Sequence, residues 1–145
     1  MSDQSASSEP TAHHIGLTVS DLDRAVDFYQ SVFDVPEAAR FGVGGEAFAT
    51  GVDIDGASAR FVHLDLGSVR LELVGYEPTG EPRASPTLNQ PGATHFGVRV
   101  ADLDAFYASL PADIESVSPP QTTESGTKIC FLRDPDGNLV ELLEV

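Results

Sequence analysis

The chain has no tryptophan, one methionine, one cysteine and a single lysine among its 145 residues. Each scarcity excludes something. One cysteine, Cys130, cannot form an internal disulfide or supply a thiolate cluster for a metal. It lies within the apolar stretch Ile129-Cys130-Phe131-Leu132, where a small buried hydrophobe is the expected role. Disulfide-free chemistry points to a cytoplasmic location. Apolar runs span only a few residues, so no membrane-crossing helix is expected. Basic residues are few: 8 Lys and Arg face 23 Asp and Glu, a formal net charge of −15. Such a surface repels phosphate backbones, which argues against a nucleic-acid partner. The acids are scattered (Asp21, Asp23, Asp27, Asp34, Asp53, Asp55) and form no terminal block. Self-repulsion of this size is best tolerated when screened, so a halophilic, salt-rich setting is the expectation.

What the chain does contain is a passage that occurs twice. His14-Ile15-Gly16-Leu17-Thr18-Val19-Ser20-Asp21-Leu22-Asp23 reappears as His95-Phe96-Gly97-Val98-Arg99-Val100-Ala101-Asp102-Leu103-Asp104. The period of two puts Ile15, Leu17 and Val19 on one face of a strand, with His14, Gly16 and Thr18 on the other. Leu22, Ala25, Val26, Tyr29, Val32 and Phe33 then recur at helical spacing. Asp21 and Asp102 are the shared candidate N-caps, and the first helix must stop before Val35-Pro36.

The spacing further predicts a loop at Gly42, Gly44 and Gly45. Strands are expected over 47–54, 59–66 and 69–76, turned at Asp55-Gly56 and Gly67-Ser68. Pro78, Pro82, Pro86 and Pro91 mark a linker over 77–92. The second copy reads as a strand over 94–100, a helix over 102–110 stopped by Pro111, and a strand over 114–118. A hairpin of 128–133 and 139–144 follows, around Asp134-Pro135-Asp136-Gly137-Asn138, which is read as turn chemistry alone. Four segments result: a disordered, Ser-rich tail over 1–11, a first unit over 12–76, the linker, and a second unit over 93–145. Neither unit can bury its sheet alone, so the two should pack together.

Each copy carries one histidine and, on a later strand, one glutamate: Glu72 in Leu71-Glu72-Leu73 and Glu141 in Val140-Glu141-Leu142. A single strand-borne histidine more often serves the backbone, and stray glutamates are common in an acidic chain. Recurrence in frame changes the balance, because a shared role accounts for both copies. His14, Glu72, His95 and Glu141 should share the face turned away from the helices, and two imidazoles with two carboxylates suit one divalent metal per site. Nitrogen and oxygen donors without thiolate favour zinc, nickel, cobalt, manganese or iron(II). Four protein ligands leave two octahedral positions for substrate oxygens. His13 and His63 have no duplicate and default to surface or packing roles.

Together, "HHIGLTVSDLDRAVDFY", "RLEL", "THFGVRVADLDAFY" and "DPDGNLVELLE" resemble the vicinal oxygen chelate superfamily, which includes glyoxalase I, extradiol dioxygenases, methylmalonyl-CoA epimerase, and fosfomycin- and bleomycin-resistance proteins. The resemblance runs from His13 to Val145. It implies an α+β fold of two tandem βαβββ modules forming an open, cup-shaped mixed β-barrel with helices outside. The metal ligands it implies are the same four residues. The order His, Glu, His, Glu is similar to glyoxalase I, a lyase or isomerase that abstracts a proton next to a carbonyl and stabilises the enediolate on its metal. By resemblance Glu141, and secondly Glu72, is the catalytic base. Glyoxalase I carries an arginine and an asparagine that grip glutathione where this chain has Thr18 and Tyr76. Another thiol adduct or another α-hydroxycarbonyl compound is therefore the implied small-molecule substrate. Three alternatives stand beside this reading: an epimerase, an iron(II) extradiol dioxygenase, and a non-catalytic binding protein of the bleomycin-resistance kind. The resemblance also implies a homodimer, with the site formed inside one chain or between swapped modules of two.

Overall fold

A computed structural model describes residues 9–84 and 87–145. Of the tail expected over 1–11, residues 1–8 lie outside the described residues, as do 85 and 86 of the linker. The chain folds as α+β, with two sheets and few helices.

The first half runs β1 (His14–Thr18), α1 (Leu22–Phe33), β2 (Glu37–Val43), α2 (Glu46–Val52), β3 (Ser58–Asp65) and β4 (Arg70–Glu77). Its sheet has the order β1-β4-β3-β2, with β1 parallel to β4 and the remaining pairs antiparallel. The second half runs β5 (His95–Arg99), α3 (Leu103–Ala108), β6 (Glu115–Ser116), β7 (Gln121–Thr122), β8 (Lys128–Arg133) and β9 (Leu139–Glu144). Its order is β5-β9-β8-β6, β7 also pairs with β8, and β5 is parallel to β9. The duplication therefore reaches the hydrogen-bond register: Gly16 lies opposite Glu72, and Gly97 opposite Glu141.

Asp21 and Asp102 cap their helices, accepting from the backbone N–H of Arg24 and of Ala105 at 3.1 Å each. Asp34 ends α1 in the left-handed region (φ 51°), its N–H returning to the Gln30 carbonyl, and Pro36 prevents any continuation. The strands over 95–99, 128–133 and 139–144 match the sequence reading closely.

One region does not match. Of the expected loop, Gly42 belongs to strand β2 while Gly44 and Gly45 do connect β2 to α2, and most of the expected strand over 47–54 is helix α2. Strand β2 has few β-branched residues, but its register stacks Phe41 on Phe61 with ring centroids 5.0 Å apart, and cross-strand packing outweighs weak local propensity. Helix α2 turns Phe48 onto Phe61 and Tyr76, which a strand through 47–54 would not do. The short strand β7 was not expected.

Helix α1 packs against both sheets, which form no closed barrel among the described residues, whereas the resemblance implied helices outside. Its Ala25, Val26 and Tyr29 share one apolar cluster with Val62, Leu64, Leu71 and Leu73 of the first sheet and with Phe96 and Val140 of the second. Val32 of the same helix packs with Leu103, Cys130, Leu132 and Leu142. Cys130 is buried, and burial pushes its thiol up, as a packing residue requires. Asp134 binds this helix to the second half. Its Oδ2 accepts from the Tyr29 hydroxyl (2.8 Å) and Asn138 Nδ2 (2.9 Å). Its Oδ1 accepts from the backbone of Asp136 (2.9 Å) and Asn138 (2.8 Å). Asp136 in turn accepts from the Ser20 backbone at 3.1 Å. The Asp134-to-Asn138 turn is thus also the fastening between the halves. Among the described residues, no helix is long and apolar enough to cross a membrane.

Candidate metal centre

Strand alternation fixes where the four duplicated residues point. Leu71 and Leu73 face the core, so Glu72 faces away, and Val140 and Leu142 do the same for Glu141. His14 reaches Glu72 across the parallel pair β1–β4, with Nε2 3.5 Å from Oε1. His95 reaches Glu141 across β5–β9, with Nε2 3.3 Å from Oε1. Both imidazoles are 40% exposed, whereas the carboxylates are largely covered.

These spacings fit donors to one cation. Two atoms each about 2.1 Å from a shared ion, subtending about 90–113°, stand about 3.0–3.5 Å apart. A charge-assisted hydrogen bond would be shorter, at about 2.7–2.9 Å. The tautomer of His14 bears on the same point. Its Nδ1 lies 2.8 Å from His13 Nδ1. If His14 donates its Nδ1 proton to His13, Nε2 presents a lone pair to a carboxylate, and two acceptors need a cation or a proton between them. The glycines add space: a Cβ at Gly16 would sit 3.7 Å from Glu72 Oε1, and one at Gly97 3.6 Å from Glu141 Oε1. Each half thus keeps a gap beside its carboxylate where a larger residue would intrude. The residues fit a divalent metal.

The two pairs do not meet within one chain. Both sheets turn their leucine-rich faces to α1, so each His–Glu pair lies on a face turned away from the common core. Among the described residues, no three or more His, Cys, Asp or Glu side chains are grouped to hold a metal ion.

The sequence reading passed over His63. It is not a surface or simple packing residue: it is 4% exposed, and its Nε2 lies 2.7 Å from Glu72 Oε2. Arg70 Nη1 lies 3.3 Å from the other ring nitrogen, Nδ1. A usable signal was present. A hairpin turning at Gly67-Ser68 places residue 63 opposite residue 72, which is the register found. Beyond His63, an aromatic wall of Phe41, Phe61, Phe48 and Tyr76 lines the same face.

The family model for the Glyoxalase/Bleomycin resistance protein/Dioxygenase superfamily matches residues 11–142. The chain belongs to this superfamily. Among its superfamily relatives, a 2-epi-5-epi-valiolone epimerase from Actinomyces sp is 31% identical over 143 residues, covering 92% of this chain and 78% of the relative. The metallothiol transferase FosB of Shouchella clausii (strain KSM-K16) is 30% identical over 141 residues, covering 90% and 77%. In structure, a glyoxalase family protein from Bacillus cereus superposes with a TM-score of 0.83 at 20% identity, covering 98% of both chains.

Proposed function

We propose that the chain is a metal-dependent isomerase or lyase of glyoxalase type, acting on a small oxygen-chelating substrate at a site built by two copies of the chain. The observation that carries this is the matched pair of half-sites. Each offers one imidazole nitrogen and one carboxylate oxygen 3.3–3.5 Å apart, on a face turned away from its own core. His14 and Glu72 of one protomer then meet His95 and Glu141 of its partner, completing a two-nitrogen, two-oxygen donor set for zinc, nickel, cobalt, manganese or iron(II).

His14, Glu72, His95 and Glu141 would hold a divalent ion there, and it would supply the Lewis acidity that acidifies the C–H beside the substrate carbonyl. Glu141 takes that proton and returns it to the adjacent carbon. The aromatic side chains around Phe41 offer an apolar surface on the same face as the first half-site. Glu72 and the two imidazoles hold position.

A second reading, epimerisation, uses the same deprotonation by Glu141, after which a solvent-derived proton is delivered to the same carbon from the opposite face. The 31% identity to a 2-epi-5-epi-valiolone epimerase favours it. So do Thr18 and Tyr76, which stand where the likeness to glyoxalase I calls for a glutathione-gripping pair; Tyr76 is instead stacked on Phe48.

The test is elemental analysis of the purified protein, followed by incubation in D2O with hemithioacetals of several thiols and with polyhydroxylated cyclic ketones. About one metal per site, and deuterium at the carbon beside the carbonyl, support the proposal. A changed carbon skeleton oxidation pattern marks the glyoxalase outcome, and inverted configuration marks the epimerase. A metal-free protein without exchange refutes both, and tight binding without exchange leaves a sequestering protein.

A further inference from the structure

The two half-sites are not equivalent. On β3, His63 is the register partner of Glu72; on β8, the corresponding partner of Glu141 is Phe131. Glu72 therefore has both oxygens engaged: Oε1 faces His14, and Oε2 lies 2.7 Å from His63 Nε2. Glu141 faces His95 alone, and the Phe131 ring stands edge-on to that imidazole at 5.1 Å. Among the described residues, no other partner reaches the Glu141 carboxylate.

The direction of the His63 bond follows from chemistry. Arginine has donors only, so Arg70 Nη1 donates and His63 Nδ1 accepts. The ring proton is then on Nε2, which donates to Glu72 Oε2. His63 is buried, and the bond it makes is short. A carboxylate held this way cannot swing off a ligand position without leaving a buried N–H unpaired. Among the described residues, Glu141, whose register partner is Phe131, has no such donor to restrain it.

We propose that His63, oriented by Arg70, is a positioning residue that locks Glu72 as a permanent ligand and so leaves proton transfer to Glu141. The assignment rests on the metal site proposed above. It gives one fold two carboxylates with different duties, set by one strand position in each half. His63→Phe should be tolerated by the fold, because Phe131 occupies the matching place in the second sheet.

The decisive measurement is Mn(II) affinity of the apo-protein, read by electron paramagnetic resonance, for the parent, His63→Phe, His63→Gln and Phe131→His. His63→Phe should weaken Mn(II) roughly 10–100-fold, as loss of a partner to a ligand usually does. His63→Gln, whose amide still donates, should recover most of that loss. Phe131→His should tighten Mn(II) while lowering kcat more than KM. Parental Mn(II) affinity in both His63 variants overturns the assignment and leaves the metal site standing. A parent that takes up no Mn(II) overturns both. Equal loss in His63→Phe and His63→Gln also counts against it, because that pattern reports damage to packing and not loss of a donor.

Discussion

Tyr29→Phe removes one oxygen from the centre of the molecule and tests how the halves are fastened. Tyr29 is fully buried, and its hydroxyl donates to Asp134 Oδ2 at 2.8 Å. Phenylalanine keeps the ring and its packing on Phe28, Phe33 and Phe96. A hydrogen bond to a charged group contributes about 1.5–3 kcal/mol. Asp134 retains its three other donors, so the low end applies, about 1.5–2 kcal/mol. For a chain of this length that lowers Tm by about 3–8 °C. The pH dependence sharpens the test. Burial first, and then the Asp134 carboxylate, push the Tyr29 phenol far above its ordinary value. Above pH about 10 an unfolded phenol loses its proton while the folded one keeps it. The unfolded state then binds fewer protons, so the parent loses about 1.4 kcal/mol per pH unit through this group. Tyr29→Phe has no such group. Urea melts at pH 7 and pH 11 should therefore show a gap between parent and variant that nearly closes at the higher pH. Equal stabilities at pH 7, or a gap unchanged at pH 11, would refute the reasoning.

Other perturbations give separate expectations. Gly16→Val should leave Tm unchanged or slightly higher, because valine suits an exposed strand position, while Mn(II) affinity falls at least about tenfold as its methyls enter the gap beside Glu72. Equilibrium dialysis with a thermal melt checks both. Asp21→Ala removes the cap bond to Arg24 and should cost about 1 kcal/mol, read by urea denaturation. With a net charge of −15, Tm should rise from dilute buffer to molar KCl; a flat response would show that self-repulsion does not limit stability.

Much of this was legible from the residues, for physical reasons that differ by element. A strand alternates with period two, so the motif around His14 and its repeat at His95 revealed which residues share a face. Leu71-Glu72-Leu73 and Val140-Glu141-Leu142 did the same for the carboxylates. Caps and turns are local chemistry, and Asp21, Asp102 and the 128–144 hairpin were found where expected. Gly42 and the 47–54 stretch differ from the sequence reading because local propensity there is weak: pairing with β3 draws Gly42 into a strand, and packing of Phe48 on Phe61 and Tyr76 favours the helix. The place of α1 was not legible, since an apolar stripe at helical spacing says that a helix is buried, not between which sheets. That question bears on where the four candidate ligands can meet. Asp134 looked like a turn residue because one side of its role lies 105 positions away, in Tyr29. His63 was passed over because duplication was the signal followed, and its counterpart is Phe131.

The most direct test of a shared metal centre mixes two dead proteins. One carries His14→Ala with Glu72→Ala, and the other His95→Ala with Glu141→Ala. Each alone should hold no metal and catalyse no exchange. Co-expressed, half the dimers are mixed and each mixed dimer has one complete site, so about a quarter of parental metal content and activity should return. A mixture as inactive as its components, or either variant binding metal on its own, would contradict a centre built across two copies.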